Sequence, residues 1–192
     1  MIGATLGLLG AAALAGTRLS SAVAIGAQLD GPATVLQPAE RLRLNAEIAF
    51  PVELTTEITL LDNFGGFSTA YGQGGHQGID IWRKDAEPGQ AIVACVDAVI
   101  IEQNVLSGNQ GNSWVIEDAN GAAYRYHHLQ EFAPDLEVGS KLLRGDVIGK
   151  MGSTGNPTAP HLHFEVRPEG PIGPAIDPVP LLGLPLVGVT VI

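Results

Sequence analysis

From about residue 44 onward the chain alternates between short apolar runs and clusters of turn residues. The runs are TTEITLL (55–61), GIDIW (78–82), QAIVACV (90–96), AVIIEQNVL (98–106), SWVIED (113–118), AAYRYHH (122–128), DVIGKM (146–151) and HLHFEV (161–166). Each is rich in Val, Ile, Tyr or Trp and is bounded by Gly, Asn, Asp or Pro, the pattern of half-buried strands. Asn120-Gly121 between two of the runs predicts a hairpin, because both residues tolerate positive φ. SGNQGN (107–112) reads as an exposed loop, and no capped amphipathic helix follows residue 30. The expected fold is all-β: a single antiparallel β-sheet domain over residues 44–182, with long loops around a groove.

The two ends differ from this rhythm. Residues 2–16, IGATLGLLGAAALAG, are uncharged and apolar. That is short of the roughly 20 residues a membrane span needs, but it suits the core of an export signal. Ala22-Val23-Ala24 supplies an A-x-A cleavage pattern, whereas Arg18 follows the apolar run instead of preceding it. Residues 1–24 are therefore expected to be a signal peptide or an N-terminal anchor that tethers the chain to a membrane. The alternative is a buried or membrane-skimming helix. Residues 25–43, with Pro32 and Pro38, read as a linker-like lead-in. At the other end, Pro178, Pro180, Pro185, Gly183 and Gly188 forbid a spanning helix across 177–192. An extended segment packed on the domain is expected there, with 183–192 as an apolar tail.

Composition narrows the class. A chain of 192 residues accommodates one domain plus a short extra segment. With 45% apolar and 16% charged residues it is globular rather than disordered, and 25 Gly and 13 Pro make it rich in turns. Cys95 is the one cysteine, which excludes an internal disulfide and a cysteine-rich zinc site. The net charge is −10 and no run of Lys or Arg occurs, which argues against nucleic acid as a partner.

The candidate chemistry lies in the five histidines, His76, His127, His128, His161 and His163. On a strand, His161 and His163 point to one face with Cα atoms about 6.7 Å apart. Such a pair shares a metal, sets one ligand beside one acid–base group, or is merely two solvent-facing imidazoles. His76 and Asp80 lie four residues apart in a glycine-rich stretch that argues against a helix. A straight strand would separate them by about 13 Å, so the chain must curl for both to reach one ion, and Gly78 would permit it. Asp80 sits inside the apolar Ile79-Asp80-Ile81-Trp82, where a charge requires a partner or a metal. Together His76, Asp80 and His163 make a His₂Asp set, the usual three protein ligands of a catalytic zinc site with a position left open. Zinc there would lower the pKa of water and polarise a carbonyl, as hydrolysis needs. A general base is also required. His161 is placed for it, and either His127 or His128 supplies a second candidate, since adjacent strand residues face opposite ways.

These motifs bear a family resemblance. The stretch from about Phe50 to Leu182 resembles the lysostaphin-type zinc metallopeptidases, endopeptidases of the bacterial cell wall. The resemblance rests on His76-Gln77-Gly78-Ile79-Asp80, on Tyr126-His127-His128-Leu129, and on Gly149–Gly155 leading to Pro160-His161-Leu162-His163-Phe164-Glu165-Val166. It implies zinc ligation by His76, Asp80 and His163, catalytic roles for His128 and His161, and no assigned role for His127. It further implies peptidoglycan stem or cross-bridge peptides as substrate. With the N-terminal segment, an exported enzyme of the periplasm, cell envelope or extracellular space is expected, acting as a monomer. Two rivals from other classes are a non-catalytic zinc-binding regulator or scaffold on the same fold and a structural β domain with incidental histidines.

The remaining residues have plainer readings. Glu165 is either a partner of the neighbouring histidines or a solvated strand carboxylate. Trp82 and Trp114 are expected in the core rather than in a substrate groove. Gly152–Gly155 reads as a turn feeding the His161 strand, and Cys95 as a buried apolar residue. The acidic balance predicts little attraction to anionic wall polymers, so binding should rest on groove contacts. Binding to intact wall material is accordingly expected to change little as salt rises to physiological strength. A steep loss of binding with salt would contradict this.

Overall fold

Period-two alternation along the strands decides the layers of this protein. A computed structural model of the chain describes residues 48–67, 74–184 and 186–192. The expectations for residues 1–24 and 25–43 lie outside the described residues. The strands are β1 (Ile58–Leu61), β2 (Ile79–Arg83), β3 (Ala91–Val93), β4 (Ala98–Ser107), β5 (Gly111–Glu117), β6 (Ala123–His127), β7 (Leu129–Phe132), β8 (Lys141–Leu142), β9 (Val147–Met151), β10 (Leu162–Arg167) and β11 (Val189–Val191). Every run read from the sequence contains a strand. The short β7, β8 and β11 carry no such signal: β7 follows His128 without turn residues, and β11 lies behind prolines and glycines.

The all-β class is as expected, but the strands divide into two sheets rather than one. An eight-stranded sheet runs β11-β1-β2-β10-β6-β5-β4-β8, and a three-stranded sheet runs β3-β9-β7. Pairing is antiparallel except at one edge, where β11 lies parallel to β1. That edge pairing begins with the Ile58 N–H donating to the Gly188 carbonyl at 2.8 Å.

The second sheet exists because one face of the first is wholly apolar. Ile79 and Ile81 of β2, Leu162, Phe164 and Val166 of β10, Tyr124 and Tyr126 of β6, and Trp114 and Ile116 of β5 all point to that side and are buried. Ile92, Leu129, Ile148 and Met151 of the small sheet complete the same core. Buried hydrogen bonds fasten the layers. The Trp114 indole N–H donates to the Ile148 carbonyl at 2.8 Å, and the Cys95 N–H donates to the Tyr126 hydroxyl at 2.9 Å. Cys95 is buried as expected, and desolvation pushes its thiol pKa up to about 12. Trp114 is in the core, packed against Phe132 with ring centroids 4.5 Å apart.

The intervening residues of β2, β10 and β6 face the other way. In the central register His163 lies opposite Asp80 on one side and His127 on the other, with Glu165 opposite Arg125. The apolar face thus holds the layers together while the reverse face carries polar side chains. The Tyr126→Phe variant is expected to lose roughly 1–3 kcal/mol of unfolding free energy, because it leaves the buried Cys95 N–H without an acceptor. Denaturant unfolding measures this, and an unchanged midpoint would show that the bond is not holding the layers.

Candidate active site

Asp80 and His163 meet because their strands are paired antiparallel and in register. His163 Nδ1 lies 3.1 Å from Asp80 Oδ1. His76 precedes β2 and is held by its backbone: the Gly65 N–H donates to the His76 carbonyl at 2.8 Å, and the His76 N–H to the Gly66 carbonyl at 3.0 Å. Its Nε2 is 3.3 Å from the same Asp80 Oδ1, and its ring stands edge-on to His163 at 4.5 Å. One ligand atom from each of His76, Asp80 and His163 lies within 4.8 Å of the others. The expected curl is present, but two glycines divide the work assigned to Gly78. Gly75 takes a φ of +67° just before His76. Gly78 is required by close approach, since a Cβ there would run into the Phe164 carbonyl and lie 3.0 Å from His163 Nε2.

Two imidazoles and one carboxylate, without thiolate, form a donor set that fits zinc. The electrostatics suit a cation. Burial opposes the Asp80 charge, but hydrogen bonds from His163 and His76 outweigh it and hold the carboxyl well below the usual range. Burial also opposes a charge on His163, yet its bonds to Asp80 and Glu165 push its pKa up to about 9. Glu165, which the sequence left between partner and solvated carboxylate, is only 5% exposed. Its Oε1 is 3.2 Å from His163 Nε2, and its Oε2 accepts from Arg167 Nε at 2.7 Å. Those bonds outweigh desolvation and lower its pKa to about 2. An Nε2–H directed at Glu165 leaves His163 Nδ1 as the nitrogen that faces Asp80.

His161 and His128 stand beside this set. The His161 Nδ1–H donates to the Ala159 carbonyl at 2.8 Å, and its Nε2 is 3.5 Å from Asp80 Oδ1. The His128 Nδ1–H donates to the Thr154 carbonyl at 3.0 Å, and the two rings are 4.7 Å apart. A carbonyl only accepts, so each ring carries its proton on Nδ1 and keeps the Nε2 lone pair free. Burial, followed by the charge of His161, lowers the His128 pKa to about 4, and burial lowers that of His161 as well. Both are neutral at pH 7 and able to accept a proton.

Strand alternation predicted that only one of His127 and His128 would reach the groove, yet both line it. The reason is local: His128 adopts a φ of +65°, which breaks the alternation where β6 gives way to β7. His127 is 3% exposed with its ring 5.2 Å from His163, and its Nε2 is buried without a hydrogen-bond partner among the described residues.

These residues line a groove of about 720 Å³, within the range of small-molecule and peptide sites. Trp82, half-buried against the core as expected, also lines the groove, edge-on to His161 at 6.3 Å. It projects from the polar face of β2, unlike Trp114. The segment 152–160 does more than turn the chain. Its Thr154 carbonyl orients His128, and the Thr154 hydroxyl bonds the Leu129 carbonyl at 2.8 Å. Sequence reasoning missed Thr154, and it missed Asn63, whose Nδ2 donates to Asp80 Oδ2 at 3.0 Å. Single polar residues in loops carry no periodic signal, so nothing in the sequence singled them out.

Residues 74–178 match the sequence model of Peptidase family M23, and the chain belongs to that family. It is 38% identical over 106 residues to the DD-carboxypeptidase/endopeptidase Mpg of Neisseria meningitidis, covering 55% of this chain and 23% of that protein. It is 32% identical over 121 residues to the glycyl-glycine endopeptidase ALE-1 of Staphylococcus capitis, covering 62% of this chain and 32% of that one. Among solved structures it is similar to the catalytic domain of the prophage-encoded M23 protein EnpA from Enterococcus faecalis, determined as a point mutant. The TM-score is 0.56 at 25% identity, covering 68% of this chain and 95% of that one. The chain spans about a fifth to a third of the length of the curated relatives it matches.

The buried His127 generates a pH prediction. Desolvation lowers its pKa from 6.5 to about 3, so between those values the unfolded chain binds a proton that the folded chain refuses. This contribution to stability is complete above pH 6.5 and is lost as the pH falls toward 3. With zinc chelated, His127→Gln should flatten the acid decline in unfolding free energy by up to about 1.4 kcal/mol per pH unit. Parallel curves for the two proteins would refute it.

Proposed function

We propose that this protein is a zinc metalloendopeptidase that hydrolyses peptide bonds in the stem or cross-bridge peptides of bacterial peptidoglycan. The observation that carries this reading is the meeting, in one groove, of a His–Asp–His donor set and two imidazoles with free Nε2 lone pairs. Family membership, with relatives named as a DD-carboxypeptidase/endopeptidase and a glycyl-glycine endopeptidase, supports cleavage of such peptides.

In this reading His76, Asp80 and His163 hold zinc, which when bound polarises the scissile carbonyl and acidifies water. His128 and His161 work on the proton. Both are neutral and fixed by backbone carbonyls, so their Nε2 atoms accept the proton of the attacking water without first rearranging. Once protonated, the same Nε2–H donates to the oxyanion and then to the leaving amine. Glu165 keeps the His163 ring in one orientation, and Trp82 offers a flat apolar wall for the peptide. The catalytic domain is residues 44–182, after a lead-in at 25–43. All the proposed ligands and bases come from one chain, which supports action as a monomer. A wall substrate lies outside the cytoplasm, so residues 1–24 act as an export signal or membrane tether and the enzyme works in the periplasm, the envelope or the medium.

The test is digestion of purified peptidoglycan with the zinc-loaded protein, followed by mass spectrometry of released fragments. New peptide termini are expected, absent when zinc is chelated and reduced by at least about a hundredfold in His161→Ala. Intact peptidoglycan from folded, zinc-loaded protein would overturn the enzyme reading in favour of a non-catalytic regulator of wall hydrolysis.

A further inference from the structure

We propose that Asn63 is a positioning residue for the metal site, holding the Asp80 carboxylate so that a single oxygen faces the ion. This rests on the reading above in which Asp80 is a zinc ligand. The two oxygens of Asp80 have separate surroundings. Oδ1 gathers His163 Nδ1 at 3.1 Å, His76 Nε2 at 3.3 Å and His161 Nε2 at 3.5 Å. Oδ2 accepts from Asn63 Nδ2 at 3.0 Å. Without that donor the carboxylate would be free to turn about its Cβ–Cγ bond and present either oxygen, or both, to a cation.

The amide suits the task by its chemistry. Its orientation against Asp80 is dictated, since a carbonyl turned toward a carboxylate would be repelled. It also orients the carboxylate without neutralising it. A lysine or arginine in the same place would cancel the negative charge that binds the metal and would compete with the ion. Asn63 gains little for its own stability, because its Oδ1 is buried with no hydrogen-bond partner among the described residues. A polar atom stranded in this way indicates a side chain placed for its neighbour rather than for folding.

The backbone around Asn63 braces a second ligand. The Gly66 N–H donates to the Asn63 carbonyl at 3.0 Å, and the same turn exchanges hydrogen bonds with His76 through Gly65 and Gly66. One short turn between β1 and β2 therefore fixes His76 through its main chain and Asp80 through the Asn63 side chain. Asn63 also lines the groove, beside Asp80 and His76.

The experiment measures zinc affinity of the full chain by competition with a chromophoric chelator, for the wild type, Asn63→Ala and Asn63→Leu. Leu keeps most of the volume without the donor, so a loss confined to Ala would reflect packing and would overturn the proposal. Both variants are expected to bind zinc about tenfold or more weakly, in the range for removing an outer partner of a metal ligand. Their thermal midpoints with zinc chelated should fall by no more than a few degrees, since the donor lost to Asp80 Oδ2 is offset by removal of the stranded Asn63 Oδ1. Wild-type affinity in either folded variant overturns the role of Asn63, as does a fall in the chelated midpoint with affinity unchanged. A wild type that binds no zinc overturns the underlying metal reading instead, so the two failures are told apart.

Discussion

One buried oxygen organises the site. Asp80 is 7% exposed, and its Oδ1 is the common neighbour of three imidazole nitrogens, from His76 ahead of β2, His161 just ahead of β10 and His163 within it. A carboxylate removed from water retains its charge only if donors replace the solvent. His163, His76 and Asn63 supply that replacement, and burial makes each of those contacts stronger than it would be in water. The low pKa of Asp80 and the high pKa of His163 express this one constraint from opposite sides. A dication fits the same place, because it would satisfy the oxygen that the His163 proton otherwise faces.

The sheet gives that oxygen its fixed position. Residues of β2 and β10 alternate between a face packed on the small sheet and a face that carries Asp80, His163 and Glu165. A slip of one residue in either strand would exchange the two sets, burying charge among Ile79, Ile81, Leu162 and Phe164. The apolar packing that stabilises the fold thereby also fixes the register of the site. Gly78 belongs to the same arrangement, for only a residue without a Cβ lets the His76 segment pass so near the Phe164 carbonyl.

The two proposed bases are secured differently, by loops. His161 and His128 each give their Nδ1 proton to a carbonyl of the 152–160 segment, which sets both tautomers before a substrate arrives. The left-handed backbone at His128 is a strained conformation for a non-glycine residue. It holds because the His128 N–H bonds the Gln110 carbonyl at 3.0 Å, while Thr154 bonds both the His128 ring and the Leu129 carbonyl. The cost in backbone strain is met at the position where the site needs a second imidazole on the same side.

The sequence by itself determined the all-β class, the eight principal strands and the candidate residues, because periodicity and spacing are local properties written along one chain. His161 and His163 on one face, and Asp80 as a charge within an apolar run, follow from a period of two. Tertiary structure alone decided the rest. The division into two sheets depends on which apolar faces meet, and the short β7, β8 and β11 exist only through pairing with distant strands. That Trp82 borders the groove while Trp114 fills the core depends on which face of its sheet each occupies. His127 joins His128 at the groove because of one backbone angle held by partners 18 and 26 residues away in sequence. Asn63 and Thr154 matter through hydrogen bonds to residues distant in sequence, and contacts of that kind leave no period or motif in the sequence.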